Sequence, residues 1–145
     1  MLKPVAFLRV LTATVAMSPA PVLAQATAPA PVLNLELNAL QPSEKGCRFT
    51  FVVNNGLGVE LAKAAFEIAL FDARGVVDRL TVLDFKELPV GKTKVSRFDL
   101  AGIDCAKVSR VLINHATECS GAGIEPAACM RQLKASTKTG VTFGL

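Results

Sequence analysis

The chain has 145 residues, of which 51% are hydrophobic and 19% charged, with a formal net charge of +4. That length suits one domain with a modest core. Setting aside Lys3 and Arg9 leaves 14 basic and 12 acidic residues, a net charge of +2. This is too little to argue for a nucleic acid or a strongly anionic surface as partner. Tyr and Trp are absent, which leaves only Phe for stacking on sugars or bases.

Residues 1–24 read as a secretory signal peptide. Lys3 and Arg9 form a positive start with no acid before Glu36, Val10 to Met17 is apolar, Pro19 and Pro21 break any helix, and Val22-Leu23-Ala24 presents a cleavage site. An uncleaved anchor needs about 20 apolar residues to cross the hydrocarbon core, far more than this threonine-interrupted run provides. No twin Arg is present, which favours the general secretory route, and no Cys stands at the cleavage site, which speaks against a lipoprotein. Residues 25–32 follow as a flexible Ala/Pro-rich tail. The predicted domain is 33–145.

Leu33, Leu35 and Leu37 alternate with polar residues and mark a first half-buried strand. Cys47, Phe49, Phe51 and Val53 mark a second, which Asn54-Asn55-Gly56 turns. Gly58 to Ala65 has the composition of a short helical turn. Phe66, Ile68 and Leu70 form a third strand, closed by a hairpin turn at Asp72-Ala73-Arg74-Gly75. Val76 to Phe85 is a fourth, with imperfect alternation that points to a bulge. After Pro89-Val90-Gly91 come Thr93 to Leu100, Val108 to Ala116 and Arg131 to Thr137, the last extended by Val141 to Leu145. The predicted fold is all-β, an antiparallel sandwich of about seven strands, with a small closed barrel as the alternative.

Four cysteines, Cys47, Cys105, Cys119 and Cys129, lie beyond the leader and read as two disulfides of an exported protein. In an up-and-down order the second and sixth strands run the same way. Cys47 opens the second and Cys105 precedes the sixth, so both fall at one end, while Cys119 and Cys129 flank the next connection. This favours Cys47–Cys105 with Cys119–Cys129 over the other two pairings.

The stretch FVVNNGLGVELAKAAFEIALFDARGVV (residues 51–77), followed by LPVGKTKVSRFDL (residues 88–100), resembles immunoglobulin-like FxLYD-type domains of bacterial exported proteins. Phe66 to Asp72 matches the family's F-x-L-Y-D strand, with Phe71 in place of Tyr. With GCRFTFVVNN, FDLAGIDCAKVSRVLIN and a C-terminal TGV, the chain beyond the leader resembles an uncharacterised family of small exported proteobacterial proteins often labelled only by their export signal. The resemblance implies an immunoglobulin-like sandwich and supplies no activity.

His115 is the single histidine. It is either a metal ligand or base, or a structural residue ending the core-facing row of Val111 and Ile113. A strand would hold it roughly 13 Å from Cys119. A zinc site built from the four cysteines lacks close ligand pairs. Asp72, Asp78, Asp84 and Asp99 fall at expected turns or strand ends. The serines lack a nucleophile elbow, and the glycines form no phosphate loop. These observations predict no enzyme and no cofactor. Lys86, Lys92, Lys94 and Arg97 read as a charged edge strand or as a site for an acidic partner or lipid headgroup. The loop between Cys119 and Cys129, with Ser120, Ile124 and Glu125, is the candidate binding loop, Ile124 projecting from small neighbours, unless the bridge only staples a hairpin. The expectation is a periplasmic or secreted binding or accessory module. Its partner is another envelope protein, with no nucleic acid and no membrane span after cleavage. The sequence leaves the oligomeric state open. A passive structural or stress-related factor, or a metal-binding protein using His115 and cysteines, is the alternative.

Overall fold

Leu33, Leu35 and Leu37 are buried along β1 (Val32–Pro42), as are Cys47, Phe49, Phe51 and Val53 along β2 (Gly46–Gly56). Extended backbone sends alternate side chains to opposite faces, so one row builds the core. The computed structural model describes residues 26–145; the expected signal peptide lies outside the described residues. Six further strands follow: β3 (Leu61–Phe71), β4 (Val77–Leu88), β5 (Thr93–Ala101), β6 (Arg110–Ser120), β7 (Leu133–Thr137) and β8 (Thr142–Gly144). A single 3-10 turn at Cys105–Lys107 precedes β6, and one helical turn, α1 (Ala128–Arg131), precedes β7.

The strands form two four-stranded sheets, ordered β5-β2-β1-β7 and β4-β3-β6-β8. This is an all-β sandwich, and β5-β2-β1 facing β3-β6 is the strand order of immunoglobulin-like folds. Two expectations need correction. The sheets are mixed rather than wholly antiparallel, because β7 runs parallel to β1 and β8 parallel to β6. The last strand is also not an extension of β7: after Lys138 to Val141 the chain crosses to the opposite sheet, and Phe143 enters the core.

Five phenylalanines join the sheets. Phe51 from β2 and Phe98 from β5 meet Phe85 of β4 at centroid distances of 5.6 and 5.1 Å, both edge-on. Phe66 lies 6.0 Å from Phe85, and Phe143 lies 5.7 Å from Phe51. Such pairs add to the stability conferred by burial of their area.

The short helical turn expected over Gly58 to Ala65 does not form. Leu61 is buried and pairs with Leu88, so tertiary burial overrides a weak local preference. The bulge expected in the fourth strand is present: pairing with β3 slips at three places, and Lys86 takes a positive φ of 63°.

On one flank the edge strands β4 and β5 are tied by two long cations. Lys94 of β5 donates to the carbonyls of Phe85 and Glu87, both at 2.9 Å, and Arg79 of β4 donates to the Ala101 carbonyl at 2.7 Å. Inward-pointing charge is a known protection for a sheet edge. Of the basic stretch, Lys94 is therefore occupied internally, Lys86 pairs with Asp84 at 2.7 Å, and Lys92 and Arg97 are exposed.

Candidate functional site

The connections β2–β3, β4–β5 and β6–β7 all emerge at one end of the sandwich, and a single side chain organises two of them. Asn55 is 1% exposed. Its amide donates to the carbonyls of Val59 at 2.9 Å and Leu88 at 2.8 Å, and its side-chain oxygen accepts from the Leu57 N–H at 3.1 Å. Its own carbonyl accepts from the Gly91 N–H at 2.7 Å, where Gly91 has φ of 70°. A buried amide is tolerated only when so satisfied. Asn54-Asn55-Gly56 is thus not the turn itself. β2 continues through Gly56, and the chain reverses over residues 57–60.

The third connection is the disulfide loop. Cys119 and Cys129 are bonded, with their Cα atoms 5.9 Å apart. Gly121 lies so close to the Glu60 carbonyl that a Cβ there would collide with it, which seats this loop directly on the β2–β3 connection. Between the three connections runs an open groove of about 490 Å³, lined by Val59, Glu60, Glu87, Pro89, Gly121 and Ala122 among others. A second hollow of about 310 Å³ on the other side of the loop is lined by Leu57, Ile124, Glu125 and Arg131 among others. Concave, partly apolar surface with a few polar groups is the usual form of a recognition site.

The predicted loop residues divide. Ser120 and Glu125 are exposed, and Glu125 pairs with Arg131 at 2.5 Å. The Arg131 guanidinium, by hydrogen bond and by charge, holds the Glu125 carboxyl below its usual value of 4.5. Ile124 does not project: it is half-buried and packs against the core, because burial in the adjacent sandwich is available to an apolar side chain and favourable. Glu87, at the groove, is likewise held below 4.5, first by its own backbone N–H and then by Lys94. Asn55 and the two groove carboxylates Glu60 and Glu87 did not emerge from the sequence as site residues. The only signal was an Asn-Asn-Gly run, which reads as a turn.

His115 is also placed differently from its expected row. β6 slips against β3 beside it, so Ile113 pairs with Ile68 while His115 pairs with Glu67, and Asn114 is the extra residue. An inserted residue reverses side-chain parity. His115 is therefore 53% exposed, with Nδ1 3.6 Å from Glu67. The second disulfide, Cys47–Cys105, has Cα atoms 5.1 Å apart and lies at the opposite end of the sandwich. All four sulfurs are thus bonded in pairs, which removes both the four-cysteine zinc site and the set combining His115 with cysteines. Of the acids expected at turns or strand ends, Asp72 lies in the β3–β4 turn and Asp78 at the start of β4, whereas Asp84 and Asp99 stand within strands; Asp99 faces Arg48 at 3.0 Å across the β2–β5 ladder.

The two four-stranded sheets define an all-β sandwich with three connections gathered at one end. No protein-family model matches the chain, and no curated protein matches it. Among solved structures, the Salmonella enterica trimeric lipoprotein SadB is similar to part of it, at 17% identity and a TM-score of 0.42. That likeness spans 48% of this chain and 40% of that one, less than half of either. No helix among the described residues is long and apolar enough to cross a membrane.

Proposed function

We propose that this chain is an exported, non-catalytic binding module that engages another protein of the cell envelope through its looped end. The observation that carries this reading is the preorganised groove between the β2–β3, β4–β5 and β6–β7 connections, fixed by the buried Asn55 amide and the Cys119–Cys129 bridge. Loops held rigid before binding lose little entropy when a partner docks. Two disulfides support export to an oxidising compartment, periplasmic or extracellular. Glu60 and Glu87 at the groove favour a partner segment with positive charge beside its apolar contacts.

The test is site-specific photo-crosslinking in the native envelope. A photoreactive residue replaces Ala122 in the groove or Ala73 in the β3–β4 turn at the far end; both positions are exposed. The expected result is a discrete adduct from position 122, identifiable by mass spectrometry and absent from position 73. Equal adducts from both positions, or none from position 122, would overturn the reading.

A further inference from the structure

The looped end is organised around one chemically labile dipeptide. Asn55-Gly56 is the single Asn-Gly pair in the chain; the other four asparagines precede Leu35, Ala39, Asn55 and His115. In a peptide an Asn-Gly pair is the most prone to lose its side-chain amide. Glycine has no Cβ to hinder its backbone nitrogen and leaves the backbone free to turn. The structure nevertheless requires both residues. The Asn55 amide donates to the Val59 and Leu88 carbonyls at 2.9 and 2.8 Å, and its side-chain oxygen accepts from the Leu57 N–H at 3.1 Å. At Gly56 a Cβ would lie 2.8 Å from the Val32 carbonyl oxygen, so a side chain there would force β1 to shift.

The same contacts block the reaction to which this pair is prone. Deamidation begins when the Gly56 backbone nitrogen, giving up its proton, attacks the Asn55 side-chain carbonyl carbon. The bond to the amide nitrogen breaks, and ammonia leaves carrying that proton. Water then opens the cyclic imide at either carbonyl and yields Asp or isoaspartate. Ring closure needs the side chain and the following peptide unit to turn together, and both are held. The Asn55 backbone carbonyl accepts from the Gly91 N–H at 2.7 Å, and Gly56 pairs with Val32 in the β1–β2 ladder. Asn55 is also 1% exposed, which keeps out the water that opens the ring. We propose that Asn55-Gly56 is a fold-gated deamidation site, stable while the looped end is closed and converted once it opens. The products cannot rebuild the end. An ionised carboxylate has no donor for the Val59 and Leu88 carbonyls, and isoaspartate lengthens the main chain by a methylene. Conversion therefore makes opening irreversible, whatever the looped end binds.

The experiment uses the purified exported chain with both disulfides intact. One sample is kept native and another is held in guanidinium chloride, in the same mildly alkaline buffer. Peptide mapping by mass spectrometry follows each asparagine over time. Conversion at Asn55 should be at least about a hundredfold faster in denaturant, because in the native chain it waits on a rarely populated opening. Asn55 should also be the first of the asparagines to convert there. Gly56→Ala, read in denaturant where its own folding is immaterial, should lose most of that conversion. On dilution from denaturant, chains that regain the native melting transition should be those that retain the Asn55 amide. Equal conversion in the two samples, or earlier conversion at Asn38 or Asn114 in denaturant, would overturn the proposal. So would undiminished conversion in Gly56→Ala, or converted chains that refold to the native melting temperature.

Discussion

At the scale of single residues, Asn55 is the most consequential polar group in the described structure. Replacing it with Ala leaves the Val59 and Leu88 carbonyls without their donor and the Leu57 N–H without its acceptor. Each buried polar group left unpaired costs about 1–3 kcal/mol, so Asn55→Ala should lower unfolding free energy by about 2–4 kcal/mol in denaturant titration. Asn55→Asp keeps the shape but loses the donor and should be at least as damaging at neutral pH. The sequence exposed the Asn but not its role, since the Leu88 carbonyl is 33 positions away. His115 and Ile124 teach the same lesson. One inserted residue turned the histidine outward, and a nearby core drew the isoleucine in.

Among the elements, the β3–β4 turn was the most legible. The Asp72-Ala73-Arg74-Gly75 run reads as a hairpin turn, and the Asp72 carboxylate accepts from the N–H groups of Arg74 at 2.9 Å and Val76 at 3.0 Å. The Val76 N–H, followed by the Arg74 guanidinium, holds the Asp72 carboxyl below its usual 3.8. A carboxyl depressed on folding contributes stability that is fully present above its unfolded value and is lost as pH falls through the folded one. Melting temperature should therefore fall as pH drops below about 4, and Asp72→Asn should flatten that fall while lowering stability at pH 7. Identical pH profiles for the two proteins would contradict the assignment. β4 was legible as a strand with a bulge. Its position at an edge was not, because neighbours in a sheet are chosen by pairing across the whole chain.

For the molecule as a whole, the two disulfides clamp opposite ends. Cys47–Cys105 closes a separation of 58 residues and Cys119–Cys129 one of 10. Loop-closure entropy assigns the long bridge about 4 kcal/mol and the short one about 3. Replacing Cys47 and Cys105 with Ala should therefore lower the melting temperature more than replacing Cys119 and Cys129. The second replacement should also raise proteolytic cleavage within residues 120–128 while the sandwich persists. The sequence by itself determined which residues alternate into the core, where the chain is extended, and that an even set of cysteines could be paired end to end. These are local or period-two properties, written in consecutive side chains. Only the tertiary structure decided that β7 and β8 lie in different sheets beside parallel neighbours, and that Lys94 and Arg79 brace the flank where the β4 and β5 edges meet. Those outcomes depend on contacts between residues far apart in the chain, whose energies no local pattern records.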